Sequence, residues 1–374
     1  MKHKQDNNPV NVAQYKDQIH LAALTGSSLH VLGQSGIGKT TIPVVLGNNK
    51  GVDVWVFNGS DKSPVEITGY GVPSETNKGK LIMKFSEAEM IPTLDKVGDK
   101  EVWWILDEWA NWSPENRATF HSVVAPPDGQ HRRLGTHTIG PNVKIIITSN
   151  RRQDGAAVGR FSIPEIARST IVTLLPDPAA WWQWAEETPG FADTHVPSFI
   201  AFGASIGGKT TDRNHFCGDP VEFDAINPNP LPNPRSWVEV MKVLHHVNKG
   251  EVDSGTARVF VRGRVGDKAA DALYGFLELM ESLPSVGNMK ANPDTFTVPA
   301  GTSDQFLLAS AALVLSKVGV SDVHAGVHAG DFDWLLTGLS RLKPEVAAYG
   351  LSSATRRGIN LEERDTKLYT NLLG

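Results

Sequence analysis

The stretch that decides the fold is GQSGIGKT, residues 33 to 40. It fits G-x-x-x-x-G-K-[ST], a loop whose backbone N–H groups wrap phosphate oxygens. Upstream, Ser28 to Leu32 reads as a short buried strand; downstream, KTTIPVVLG reads as a helix with Pro43 near its first turns and Gly47 past its end. Strand, glycine loop and helix is the order this chemistry requires, because the helix N-terminus adds positive potential where phosphate sits. In that reading Lys39 reaches the β- and γ-phosphates and Thr40 holds Mg²⁺. The pattern occurs a second time, as GASIGGKT at 203–210. There the preceding PSFIAF is no convincing buried strand, and the following residues are rich in Asp, Asn, Pro and Gly. Residues 203–234 therefore read as a long loop, and Lys209 as no phosphate ligand.

A phosphate loop that hydrolyses nucleotide needs an acidic strand end. EVWWILDEW supplies it: Val102 to Leu106 is a continuous apolar run, and Asp107 and Glu108 follow. Asp107 is suited to support Mg²⁺, and Glu108 to polarise an attacking water. A third run, VKIIITSN at 143–150, ends in polar Asn150, at the strand end where ligands of open parallel sheets gather. Strands near 28–32, 52–57, 102–106, 143–148 and 170–174 alternate with helical stretches, which predicts an α/β fold with a five-stranded parallel sheet.

The bulk properties set the frame. The 374 residues are too many for one ordinary core, and 40% apolar with 21% charged is normal for a globular protein. A net charge of −5 gives no global attraction to nucleic acid or an anionic membrane, although a local basic patch stays open. The one cysteine, Cys217, suits a reducing compartment. No apolar run is long enough to span a bilayer, and the polar N-terminus lacks a signal region, so the expected location is cytoplasmic.

These motifs together resemble AAA+ ATPases of the MoxR-like, helix-2-insert type, and among them those of phages and prophages. The resemblance runs through most of the chain and is weaker beyond residue 300. It implies a P-loop αβα sandwich with a helical lid and a mostly helical C-terminal region. The implied boundaries are 1–176 (with 1–20 as a tail), 177–283 for the lid with the loop 203–234, and 284–374. ATP and Mg²⁺ are the implied cofactors. The nucleotide would lie on Gly33, Gln34, Ser35, Gly36, Ile37, Gly38, Lys39, Thr40 and Thr41, with Asp107 beside it. Asn150 matches sensor 1. Arg168, near the end of NRRQDGAAVGRFSIPEIARS, matches the arginine finger that enters a neighbouring subunit's site; Arg160 is a second candidate. Ser169 and Thr170 stand where the family usually has an aromatic. Arg235 in NPLPNPRSW matches sensor 2, and ITGYGVP with NKGKLIMKF resembles the entry to the helix-2 insert. The implied assembly is a hexameric homo-oligomer, and the implied partner a von Willebrand factor A domain adaptor. The implied activity is remodelling of a protein partner.

Two other functions share these nucleotide motifs: a DNA-directed motor or restriction-type NTPase, and a slow regulatory assembly switch. GQHRRLGTHTIGPN, residues 129–142, reads as a hairpin whose Arg132 and Arg133 are placed either to touch a nucleic-acid backbone or to sit in solvent. WWQWAEETPGF at 181–191 reads as an amphipathic helix with tryptophans in the core. His324 and His328 in VHAGVHAGD lack the intervening acid of a zinc hydrolase, and His215 and Cys217 lack metal-site spacing.

Overall fold

The computed structural model describes residues 8–75, 79, 81–86, 90–126, 130–151, 154, 161, 163–206, 215–219, 228–282, 285–315 and 333–356. The chain divides into two compact units, Met1–Pro176 and Asp177–Gly374.

The first unit is built on a parallel sheet. Its strands are β1 (Pro9–Val10), β2 (Leu29–Leu32), β3 (Asp53–Asn58), β6 (Val102–Asp107), β9 (Val143–Ser149) and β10 (Thr170–Leu174), in the spatial order β1-β10-β2-β9-β6-β3. All five expected strands are present, and the two-residue β1 adds a sixth at one edge. Two small antiparallel hairpins stand apart: β4 (Gly71–Glu75) with β5 (Leu81–Phe85), and β7 (Arg133–Leu134) with β8 (His137–Thr138). The chain leaves β2 for the glycine loop and returns in the helix Thr41–Asn49. β9 lies between β2 and β6, so the acidic strand does not touch the loop strand directly.

β6 explains why the sheet is rigid where it must be. Val102 to Leu106 are all buried, with Trp103 and Trp104 among the largest enclosed side chains. Phe57, Trp104, Trp109, Trp112 and Phe120 form one aromatic cluster, with ring centroids 4.7–6.1 Å apart in tilted and edge-on contacts.

Two local readings need correction. Residues 12–20 are no tail: they begin the helix Val12–Thr25. Asn11 and Gln14 form a reciprocal capping box, at 2.9 and 3.0 Å, and Tyr15, Ile19 and Ala22 make the buried stripe. Gly47 lies inside the helix Thr41–Asn49, not past its end. It is there for space, since a Cβ would collide with the Val54 side chain and meet Trp103 at 3.3 Å.

The second unit is helical. The helix Pro234–Asn248 buries Trp237, Val240, Met241 and Leu244, spaced as one face of a helix, against its neighbours. The helix Val196–Ile206 takes in PSFIAF and the first four residues of GASIGGKT, so residues 203–206 are helical where a loop was expected. Residues 207–214, which contain Lys209, and 316–332, which contain His324 and His328, lie outside the described residues. Helices on either side of residue 283 pack on one another: Thr302–Leu315 on Val196–Ile206, and Pro344–Arg356 on Pro178–Glu187. Phe306 stacks on Tyr349 at 4.1 Å, and the buried Glu186 carboxylate accepts a bond from Ser353. Trp181, Trp182 and Trp184 touch the rings of Phe216, Tyr349 and Phe191, but they are not in the core as expected: the first two are half-buried and Trp184 is exposed. No helix among the described residues is long and apolar enough to cross a membrane. The first unit is a P-loop αβα sandwich, and the described elements after it are helices.

Candidate nucleotide site

The loop 33–40 is shaped by its glycines. A Cβ at Gly33 would meet the Ile37 side chain at 2.7 Å and the Leu174 carbonyl at 2.9 Å, so the loop has no room for one. Gly36 and Gly38 adopt φ of 77° and 101°, where a side chain is strained. Ile37 is buried and anchors the turn from below, whereas Gln34 is half-buried and Ser35 exposed. Thr41 opens the helix as an exposed residue.

Lys39 lies along this loop, only 9% exposed. Its ammonium donates to the carbonyls of Gly33 at 3.0 Å and Gln34 at 2.6 Å, and to Asn150 Oδ1 at 2.9 Å. An ammonium held by neutral oxygens over a glycine loop is placed to make stronger, charge-assisted bonds to an anion. Beneath it, the fully buried Tyr15 donates its hydroxyl to the Lys39 carbonyl at 2.8 Å. Burial first, and the charge of Asp107 second, push the Tyr15 hydroxyl far above the usual tyrosine range, so it stays a donor.

Thr40 stands at the helix N-cap but makes no capping bond. Its hydroxyl points to Asp107 Oδ1, 2.6 Å away. A Thr at an N-cap ordinarily turns its oxygen to the first-turn N–H groups. Here it faces a carboxylate at the end of another strand, and the two together offer the hard oxygens that a divalent cation takes. The donor set therefore fits Mg²⁺.

Asp107 and Glu108 are held differently. Trp112 Nε1 donates to the Asp107 carbonyl at 2.9 Å, tying the strand end to the aromatic cluster. Glu108 is exposed and takes φ 53° and ψ 34°, a left-handed conformation that costs a non-glycine residue about 1 kcal/mol or more. Asn111 Nδ2 approaches Glu108 Oε2 at 3.4 Å.

β9 meets all of these parts. Thr148 Oγ1 donates to Asp107 Oδ1 and accepts from the Glu108 N–H at 3.3 Å. Ser149 Oγ pairs with His30 Nε2 at 2.8 Å, and its carbonyl accepts from Gly33 N–H at 3.2 Å. Asn150 takes Lys39. Just beyond, Arg151 forms a two-pronged ion pair with Asp154, at 2.7 and 2.9 Å, with both side chains largely buried. Sequence reading picked out Asn150 but missed Tyr15, His30, Thr148 and Ser149. The polar run TSN closing an apolar strand was the one available signal.

The other candidate arginines come from three further parts of the sequence. Arg168 sits in the turn before β10, half-buried. Register pairs Thr170 with Leu29, the first residue of β2, so Arg168 stands where the parallel strands begin, along the edge of the sheet formed by their N-terminal ends and opposite the glycine loop of its own chain. Arg160 lies outside the described residues. Arg235 is exposed in the first turn of the helix Pro234–Asn248, in the second unit, and Asn233 and Ser236 cap that turn reciprocally.

The hairpin arginines separate. Arg132 donates to the carbonyls of Gly26 at 2.6 Å and Val124 at 2.8 Å, to that of Val123, and to Ser28 Oγ at 3.3 Å. Burial lowers its pKa from the usual arginine value. Arg132 is thus a strut of the fold, and only Arg133 is exposed.

No protein-family model matches the chain, and no curated protein matches it. Among solved structures it is similar to a point mutant of RuvB from Thermotoga maritima, with a TM-score of 0.37 at 11% identity, covering 86% of this chain and 85% of that one. It is also similar to NtrX from Brucella abortus, with a TM-score of 0.31 at 16% identity, covering 96% of this chain and 67% of that one. The P-loop sandwich stands on the sheet and loop described above.

Proposed function

We propose that this protein is an AAA+ ATPase that couples ATP binding and hydrolysis to remodelling of a protein partner, working as a ring of identical subunits. The observation that carries the reading is the Thr40 hydroxyl, turned from its capping position to Asp107 while Lys39 bridges the loop to Asn150. That arrangement has a ready use in phosphoryl transfer, where catalysis is mostly positioning and charge stabilisation.

In this reading the backbone of residues 33–41 cradles the phosphates of ATP, and Lys39 exchanges its loop carbonyls for the β- and γ-phosphate oxygens. Thr40 and Asp107 hold Mg²⁺, which when bound neutralises developing charge on the phosphates. Glu108 polarises the attacking water, and Asn150 orients the γ-phosphate end. Arg168, on the far edge from its own loop, serves a neighbour's site, which makes hydrolysis depend on assembly. Arg235 acts from the helical region as a sensor of the bound nucleotide. The finer resemblance, to MoxR-like ATPases of phages, adds a hexamer and a von Willebrand factor A domain adaptor to the proposal.

The DNA-directed reading loses support, because one of its two hairpin arginines is committed to backbone carbonyls and the net charge is −5. The test is mass in solution by light scattering, using Glu108→Gln with and without ATP·Mg²⁺. An ATP-dependent oligomer that is lost in Lys39→Ala is the expected result. A monomer under every condition would overturn the ring and the trans arginine together. Assembly with turnover near background in the wild type would point to a regulatory switch instead.

A further inference from the structure

Thr148 and Ser149 at the end of β9, and Asn150 just after it, each bond a different element, and only Asn150 was legible as functional. We propose that Thr148 is a positioning residue for hydrolysis: its one hydroxyl fixes the Asp107 carboxylate and the Glu108 backbone relative to each other, and so aims Glu108. The proposal rests on the ATPase reading of the same site.

A threonine hydroxyl has one proton to donate and lone pairs to accept. Here the proton goes to Asp107 Oδ1, and an N–H from Glu108 arrives at 3.3 Å. Thr148 is 1% exposed, so water does not compete for either bond. Two adjacent residues with different tasks are thereby tied to one atom on the neighbouring strand. Asp107 Oδ1 also accepts from Thr40 at 2.6 Å. Once Thr40 turns its hydroxyl lone pairs to a cation, Thr148 is still there to keep Oδ1 oriented. Glu108 needs such a hold more than most residues, because φ 53° and ψ 34° is a region that a side chain-bearing residue leaves unless something fixes it. The bond from its own N–H to Thr148 acts directly on that torsion. Ser149 and Asn150 make their bonds to β2 and the glycine loop, so β9 carries the acidic pair and the phosphate loop on one rigid strand end.

The consequence is selective. Phosphates are held by the loop and Lys39, while Glu108 acts on the water in the transition state. Losing the Thr148 hydroxyl should therefore lower kcat and spare ATP affinity. Thr148→Val removes the hydroxyl at nearly constant volume, and Thr148→Ser keeps it. Steady-state ATPase rates are measured on the full chain, and ATP affinity by titration of a fluorescent ATP analogue in the Glu108→Gln background. The expected result is a fall in kcat of about tenfold or more in Thr148→Val, recovery to within about threefold in Thr148→Ser, and Kd changed by less than about threefold. If Thr148→Val fails to fold, Thr148→Ala read against Thr148→Ser answers the same question. A Thr148→Val rate within about twofold of wild type overturns the proposal, as does equal loss in the serine variant, or a Kd that weakens as much as kcat falls. Failure of the ATPase reading itself would be visible earlier, as a wild type without turnover or a Lys39→Ala variant as active as wild type, and would take this proposal with it.

Discussion

GQSGIGKT and GASIGGKT satisfy the same pattern, and the fold opens them differently. The first follows β2 and precedes a helix, so a helix N-terminus faces the loop. A helix presents partial positive charge at its N-terminus, and the first context therefore attracts phosphate. The second starts inside the helix Val196–Ile206, which takes up its first four residues, so no strand end leads into it. What distinguishes the two is therefore the element that precedes the glycines, which the pattern itself does not encode. The first match also has Asp107 and Asn150 within reach, contributed by strands more than sixty residues away.

The sharpest way to break that contrast is to remove the two lysines in turn. Lys39→Ala should lose ATP hydrolysis by about a hundredfold or more, and Lys209→Ala should change it by less than twofold. A steady-state ATPase assay decides this. A large loss in Lys209→Ala would mean that the second match binds phosphate after all, and that a preceding strand is not required.

The next contrast lies between the two edges of the sheet. Arg168 stands at the edge away from its own loop, so in the proposed ring it completes only a neighbour's site. Arg168→Ala should cut turnover by about a thousandfold, as a finger arginine supplied in trans is worth. Mixing Arg168→Ala with Lys39→Ala subunits should restore part of the activity, since some interfaces then combine an intact loop with an intact arginine. Mixtures that stay as inactive as their parents would argue that Arg168 acts within its own subunit or not at all, and would direct attention to Arg160.

Arg132 and Arg133 are neighbours in sequence that differ in role, and stability separates them. Arg132→Met removes the donor to the carbonyls of Gly26 and Val123 and leaves that of Val124 with only the Ser28 hydroxyl, at a cost of about 2–3 kcal/mol. Arg133→Ala, on an exposed position, should fall within about 0.5 kcal/mol of wild type. Urea denaturation of both variants measures the difference. Equal stability would return Arg132 to the list of residues available to a partner.

The same theme accounts for what the sequence revealed and what it hid. The strands of the first unit were legible because they are long apolar runs: β6 is buried from Val102 to Leu106, and such a run has no reading as a surface segment. The acidic pair was legible because it ends that run. The helix Val12–Thr25 was not, because its buried stripe is only Tyr15, Ile19 and Ala22, while Leu21 and Leu24 are exposed and blur the helical period. Gly47 looked like a helix stop because a glycine admitted for space and one admitted for conformation are the same letter. His30 and Thr148 were invisible because their partners, Ser149 and the acidic pair, are brought to them only by strand pairing across 119 and about forty residues of sequence.

The smallest expected effect is at Tyr15, and it tests whether the N-terminal helix belongs to the site. Tyr15→Phe deletes one buried donor and leaves the Lys39 carbonyl without it, which should cost about 1 kcal/mol of stability and a few-fold in ATP affinity. The pH dependence carries a second signature. The folded-state pKa of Tyr15 is raised above its ordinary value of 10.0, so the unfolded chain releases that proton first as pH rises. The stabilisation is fully present below pH 10.0 and is lost progressively above it, up to the folded-state pKa. Wild type should therefore lose more stability than Tyr15→Phe between pH 9 and 11, by about 1 kcal/mol per pH unit once above the ordinary tyrosine value. Parallel alkaline unfolding curves for the two proteins would mean that the Tyr15 hydroxyl is solvated, and the helix would then pack beside the loop without holding it.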